Sequence, residues 1–158
     1  MTLQTTSVEI PVLQLQNGRF TAAKPAVIIE SELRIILNGR QLATASLLPG
    51  MEKEFVTGYL FGQGFIKAPE DIASIIVEGS SAEVTLADKT VPFPASTRYR
   101  IVSGGGRTAF AGDRLPQIES DLTVKKDVVF QAMNRLFDMG ALYKETEGAH
   151  AAGIFTPA

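Results

Sequence analysis

The sequence predicts an α+β fold, and three observations support that class. An Asn38-Gly39 pair lies between two runs of alternating apolar residues, which is a strong short-range signal of a β-hairpin. The chain then changes to helical spacing after Pro49 and Gly50. Strands and helices do not alternate regularly, so a sheet built from βαβ units is not expected.

Two strand signals open the chain. Mostly alternating apolar residues predict a half-buried strand over residues 7–16, where Pro11 favours an edge position because proline cannot donate a backbone hydrogen bond. Residues 33–37 are expected to pair with residues 41–45 around the Asn-Gly turn. Both central positions of a type I′ turn need a positive φ, which Asn and Gly tolerate.

A helix and a second hairpin are expected next. Apolar residues at helical spacing predict a helix over residues 51–60, with acidic residues near its positive end and glycines after it. Residues 74–78 and 83–86 flank a Gly-Ser-Ser turn and predict the second hairpin, and residues 98–102 predict a last strand. These elements together predict a small α+β domain over residues 1–102.

A glycine-rich segment follows that domain. Residues 103–119 begin with the run Ser-Gly-Gly-Gly-Arg-Thr and are expected to form a loop and linker. The exposed N–H groups of this loop and its guanidinium could instead bind an anion. The candidate residues are Ser103, Gly104, Gly105, Gly106 and Arg107. Their spacing matches neither a Walker loop nor a dinucleotide fingerprint, so the residues alone favour a linker.

Residues 120–158 predict one helix and one strand. An apolar stripe at helical spacing indicates a helix over residues 124–137 that ends at Gly140. The residues that could start this helix are Ser120, Asp121 and Thr123. The small apolar run at residues 150–155 suits a buried strand. These two elements make a poor independent domain, so they are expected to dock on the first unit, on a second copy or on a missing partner.

Composition excludes several classes of function. The absence of cysteine among 158 residues excludes disulfides, persulfides and thiolate nucleophiles, and the single histidine excludes a His-rich metal site. A carboxylate magnesium site stays open, although no bound metal is expected. A net charge of −2 argues against nucleic acid and anionic membranes as partners. Without a signal sequence or a long apolar run, the protein is expected to be cytoplasmic and not inserted in a membrane.

Three segments resemble the FdhD family of formate dehydrogenase accessory sulfurtransferases. Residues 32–66 are similar to the family's strand, Asn-Gly hairpin and "GFL…EGI" helix. Residues 100–108 lie where the family carries its "SCGxCG" loop, and residues 146–152 are similar to its "TGGxHAA" motif. The order and the spacing of the three segments agree with the family.

The resemblance implies a ubiquitin-like roll followed by an incomplete cytidine-deaminase-like α/β segment. Family members relay sulfur from a cysteine desulfurase to the molybdenum cofactor of formate dehydrogenase through persulfides on the loop cysteines. Aligning Ser103 with the motif serine places Gly104 and Arg107 at the cysteine positions, so this chain is not expected to transfer sulfur itself. Family members also continue well past the histidine motif, so this chain resembles a truncated member.

The resemblance also implies a site for the guanylyl form of the molybdenum cofactor. Its expected residues are the glycine-rich loop together with Thr146, Gly148 and His150. From the residues alone, His150 could contact a ligand or act as an acid or base, and a structural histidine is the commoner alternative. Glu147 replaces a motif glycine and would repel a phosphate unless it pairs with a cation such as Arg107. No catalytic residue is expected.

Three hypotheses follow. The first is an accessory protein that binds formate dehydrogenase or its bis-guanylyl molybdenum cofactor without supplying sulfur. The second is a non-catalytic structural or regulatory homodimer, in which the exposed helix and strand complete the fold of a partner. The third is an enzyme that acts through carboxylates and His150, although the sequence assembles no pair of nucleophile and base.

Overall fold

The computed structural model describes residues 5–91, 93, 99–101 and 119–156. The strands are β1 Ser7–Glu9, β2 Val12–Gln16, β3 Arg19–Ala23, β4 Ala26–Ile28, β5 Ser31–Leu37, β6 Arg40–Leu47, β7 Ile72–Glu78, β8 Ser81–Leu86 and β9 Tyr99–Ile101. The helices are α1 Glu52–Gly62, α2 Lys126–Met139 and α3 Ala141–Thr146, with a 3₁₀ turn at Pro69–Asp71. This mixture confirms the α+β class.

The chain divides into two compact units. Unit 1 consists of Met1–Thr6 and Ile29–Arg114, and unit 2 consists of Ser7–Ile28 and Leu115–Ala158. The first strands therefore group with the C-terminal helices, whereas the sequence analysis assigned them to a domain over residues 1–102. Most of the proposed linker at residues 103–119 lies outside the described residues, so that domain division stays a prediction.

Unit 1 is built on a five-stranded mixed sheet in the order β7-β8-β5-β6-β9. The predicted Asn-Gly hairpin is confirmed: β5 pairs antiparallel with β6, and Leu33 lies opposite Ala45. Asn38 and Gly39 have φ values of 47° and 78°, as a type I′ turn requires. The second hairpin, β7 with β8, is also confirmed. Strand β8 pairs parallel with β5, and β9 pairs parallel with β6.

The core of unit 1 lies between this sheet and α1. Alternate residues of β5 point to one face and are buried, as the period of a strand requires. From α1, Val56 and Leu60 are completely buried against them. The helix begins at Glu52 and its C-cap is Gln63, so the predicted helix and its acidic first turn are confirmed. Phe61 lies on the opposite face and is exposed.

Unit 2 contains two antiparallel strand pairs, β1 with β4 and β2 with β3, together with α2 and α3. The prediction of one strand over residues 7–16 is wrong, because the chain leaves the strand at Ile10 and Pro11 and continues as β2. Proline lacks the N–H that a strand ladder needs. The β2–β3 hairpin turns at Asn17 and Gly18, both with positive φ.

Two further expectations for unit 2 need correction. The start of α2 was expected at Ser120, Asp121 or Thr123, but its N-cap is Lys125, without a side-chain cap hydrogen bond. The Ser120 hydroxyl instead accepts a hydrogen bond from the Leu122 N–H, which forms a local turn. The expected strand at residues 150–155 is also wrong, since these residues pair with no strand in the described part of the chain.

The end of α2 is at Met139 with Gly140 as its C-cap, which confirms the predicted stop. No side chain of α2 is fully buried among the described residues. In the described ranges, none of the helices combines the length and the apolar character that a bilayer crossing demands.

Candidate functional site

The expected cofactor-binding residues fall into two groups. Ser103, Gly104, Gly105, Gly106 and Arg107 lie outside the described residues, so their site stays a prediction. Thr146, Gly148 and His150 lie in unit 2, at and just after the end of α3.

The end of α3 is a tight turn organised by two residues. Glu147 adopts the left-handed conformation with φ 52°, and its N–H donates to the Tyr143 carbonyl at 2.7 Å. The Thr146 hydroxyl donates to the Leu142 carbonyl at 2.7 Å and accepts from the Gly148 N–H at 3.3 Å. Thr146 therefore stabilises the turn that leads the chain towards His150.

Gly148 lies against the side chain of Ile28 at the end of β4. A Cβ atom added at Gly148 would be 3.3 Å from Cγ1 and 3.4 Å from Cδ1 of Ile28. In the neighbouring strand β1, the Ser7 hydroxyl donates to the Glu145 carboxylate at 2.8 Å. The first and last strands of the N-terminal segment thus contact α3 and the turn after it.

His150 is exposed and lines a cavity of about 290 Å³ between α2, α3 and the following segment. Met133, Phe137 and Tyr143 form much of its apolar wall. The Phe137 and Tyr143 rings pack edge to face, with centroids 6.0 Å apart. From the sequence, the α2 stripe was expected to dock on the first unit, on a second copy or on a missing partner. The spacing of Met133, Leu136 and Phe137 was the signal that they share a face.

The lining of this cavity is mostly apolar. Its wall offers apolar and aromatic carbon with the imidazole of His150 and the phenol of Tyr143 as polar groups. Its volume is near the lower limit for ligand pockets. Lys144 places its ammonium 5.0 Å from the Phe137 ring centroid and 3.2 Å from the Asp138 carbonyl. The polar groups of this wall are therefore few, and the ammonium of Lys144 is engaged by the end of α2 and by the Phe137 ring.

Unit 1 has a separate groove of about 450 Å³ that includes two carboxylates. Backbone hydrogen bonds from Lys67 and then Ala68 lower the pKa of Asp71. Hydrogen bonds from the hydroxyl and then the backbone of Thr90 lower the pKa of Asp88. Both carboxylates are exposed and hold local turns. Across the described ranges, no group of three or more His, Cys, Asp or Glu residues could hold a metal ion.

The order of the Asn-Gly hairpin, the helix α1 and the Thr-x-Gly-x-His turn agrees with the class that the motifs indicated, the FdhD-like proteins. The sequence model of the FdhD/NarQ family matches residues 28–158. The chain therefore belongs to the FdhD/NarQ family, which confirms the resemblance seen in the sequence.

Curated relatives and a solved structure agree with this assignment. The sulfur carrier protein FdhD of Methanothermobacter thermautotrophicus is 30% identical over 137 residues, which are 82% of this chain and 52% of the relative. That of Geobacillus kaustophilus is 28% identical over 155 residues, 93% of this chain and 59% of the relative. A crystal structure from Desulfotalea psychrophila, described as a formate dehydrogenase accessory protein, is also similar, with 30% sequence identity and a TM-score of 0.50. The match covers 56% of this chain and 38% of that chain. The chain thus spans between half and three fifths of the two curated relatives.

Proposed function

We propose that the chain is an accessory protein for the maturation of formate dehydrogenase that binds the enzyme or its molybdenum cofactor and does not transfer sulfur itself. The observation that carries this proposal is a family assignment combined with the absence of cysteine. Relatives are called sulfur carrier proteins, and a carried sulfane sulfur needs a thiolate to hold it. Gly104 and Arg107 stand at the aligned cysteine positions and provide none.

The cofactor enters this proposal as cargo. Its guanylyl arm has a flat base and phosphates, and its molybdenum centre supplies redox chemistry to the enzyme that receives it. The cavity beside His150 supports binding of the base, because Phe137 and Tyr143 offer aromatic contacts and the imidazole offers a hydrogen bond. The glycine-rich loop with Arg107 would hold the phosphates through N–H groups and a guanidinium. The expected place of action is the cytoplasm.

The fold proposal follows the same resemblance. The five-stranded sheet with one helix supports a ubiquitin-like roll for unit 1. The part of unit 2 that we assign by this resemblance to an incomplete cytidine-deaminase-like segment contains α2 and residues 150–155, which pair with no strand among the described residues. A crystal structure of the chain, compared with both fold types, tests this assignment.

Calorimetric titration with GDP tests cofactor binding, because GDP carries the guanine and the phosphates of the cofactor arm. We expect micromolar binding by the wild-type chain. Arg107→Ala should weaken it by about 1–3 kcal/mol, the range for a lost charge-assisted hydrogen bond. Arg135→Ala is the matched control, since Arg135 is exposed on α2 and should leave the affinity unchanged. Absence of heat with the wild-type chain at millimolar GDP would refute cofactor binding.

Sulfur transfer is tested with a cysteine desulfurase and radiolabelled cysteine. We expect no radioactivity bound to the wild-type chain, because it has no thiol to accept sulfur. A double variant, Gly104→Cys with Arg107→Cys, supplies thiols at the motif positions and serves as the positive comparison. Reductant-sensitive label on the wild-type chain would contradict the proposal.

A non-catalytic homodimer is the second candidate, and the surface of α2 favours it. Val129, Phe130, Met133 and Phe137 are each at least half exposed on this helix. Such a concentration of apolar side chains is typical of a surface that another polypeptide covers. Sedimentation equilibrium should then give a mass that rises with concentration. Phe130→Ser should abolish the rise, whereas Phe61→Ser on the exposed face of α1 should not.

A further inference from the structure

We propose that Ile28 is a positioning residue for His150, and that it acts through its close approach to Gly148. The proposal deepens the proposed function and rests on it, because the positioned histidine is a candidate contact for the guanine base. It adds a role for the N-terminal strands, most of which precede the matched family segment at residues 28–158.

Two contacts join the N-terminal strands to the segment around His150. Ser7 and Glu145 are 138 positions apart in the chain, yet their side chains form a 2.8 Å hydrogen bond. Ile28 contacts Gly148, which lies three residues after Glu145. Strands β1 and β4 pair directly, with Ser7 opposite Ile28, so both contacts come from one small strand pair. This strand pair can therefore restrain both α3 and the turn that follows it.

The constraint at position 148 concerns space and not backbone conformation. Its φ lies outside the left-handed region, so an L side chain would carry no backbone strain there. A Cβ atom would meet Ile28 Cγ1 at 3.3 Å, which is tighter than an ordinary van der Waals contact, so Ile28 would have to move by a few tenths of an ångström. The steric conflict of Gly148→Ala is thus specific to Ile28, and shortening Ile28 should relieve it.

The position of His150 depends on this contact because little regular structure surrounds it. Glu147 ends α3 in the left-handed conformation, and residues 150–156 form neither helix nor strand. Only Ala149 separates Gly148 from His150. A displacement at Gly148 would therefore move the imidazole relative to Phe137 and Tyr143 on the cavity wall.

The single histidine makes the test direct. In a proton–carbon NMR spectrum of the full chain, the ring of His150 gives the one histidine Cε1–Hε1 signal. We expect Gly148→Ala to shift this signal and to weaken GDP binding about tenfold. Adding Ile28→Ala should restore both, because the new methyl group then occupies the space of the removed side-chain carbons. Ile28→Ala alone should also shift the signal, because it removes the contact without adding a group.

Gly58→Ala is the matched control, since a Cβ atom there meets nothing within 4 Å. A His150 signal that stays unchanged in Gly148→Ala and in Ile28→Ala would overturn the positioning role, whatever the affinity for GDP. Shifts without rescue in the double variant would also overturn it, because a general loss of structure explains them. A rescued shift in a chain that does not bind GDP would support the positioning role while refuting cofactor binding.

Discussion

Asn38 has two roles in the β5–β6 turn, and substitutions can separate them. Its backbone adopts φ 47°, which the type I′ turn requires. Its side-chain Oδ1 accepts a 3.0 Å hydrogen bond from the N–H of Leu86, at the end of β8. Leu86 is only 2% exposed, so water cannot readily replace that acceptor. The residue therefore joins the β5–β6 hairpin to β8, the neighbour of β5 in the sheet.

Each role has its own expected energy. Asn38→Gly keeps the favourable backbone conformation and orphans the N–H of Leu86, which should cost about 1–3 kcal/mol of the free energy of unfolding. Asn38→Ala loses the same hydrogen bond and adds the strain of a left-handed alanine, about 1–2 kcal/mol more. Asn38→Asp keeps an acceptor in place and should remain close to the wild type.

Urea denaturation followed by far-ultraviolet circular dichroism measures these differences, and hydrogen exchange of the Leu86 amide reports the local contact. Asn17→Gly is the matched control, because Asn17 has φ 50° in the exposed turn between β2 and β3. That change should alter the free energy of unfolding by less than about 0.5 kcal/mol. A wild-type midpoint and an unchanged Leu86 exchange rate in Asn38→Gly would refute the reasoning.

Three further outcomes are expected from the structure. Leu60→Ala should lower the free energy of unfolding by about 2–5 kcal/mol, because Leu60 is fully buried. Phe61→Ala, at an exposed position, should have a small effect, and equal denaturation midpoints for the two variants would contradict this expectation. Asp71→Asn should lower the free energy of unfolding at neutral pH, and this effect should disappear as the pH falls below the ordinary carboxyl pKa of 3.8. The reason is that the lowered pKa of Asp71 stabilises the fold only while the carboxyl group is ionised. Urea titrations of both proteins from pH 7 to pH 2 test this, and a difference between them that does not change with pH would disprove it. Glu147→Gly should raise the free energy of unfolding by about 0.5–1 kcal/mol, because glycine tolerates the φ of 52° at this position. A thermal midpoint below that of the wild type would contradict this expectation.

Local sequence signals predicted most of unit 1. The Asn-Gly turn located the β5–β6 hairpin, although a bulge between Ile35 and Ile36 shifts its register. Helical spacing after Pro49 and Gly50 located α1. These signals succeed because a few neighbouring residues determine the conformation. The parallel pairing of β8 with β5 has no comparable local signal, since the partner strands are separated by α1 and by β7.

Unit 2 was harder to predict because its contacts are distant in sequence. Ser120 has a side chain suited to an N-cap, yet its hydroxyl forms a local turn and the helix begins later. The motif around Thr146 and His150 was visible in the sequence, but the contact of Gly148 with Ile28 was not. A glycine that packs closely against a side chain has the same sequence signature as one that forms a turn.

The order of the chain also affects how the two units can fold. Unit 1 is formed mainly by a continuous segment, whereas unit 2 needs residues 7–28 and residues 119–156 together. Closing contacts of such long sequence separation is slow, because the entropy of a large loop must be lost first. During synthesis, β1 to β4 leave the ribosome long before α3 exists to bind them. We therefore expect unit 1 to acquire protected amides first in pulsed hydrogen exchange, and the N-terminal strands to be protected only together with α3.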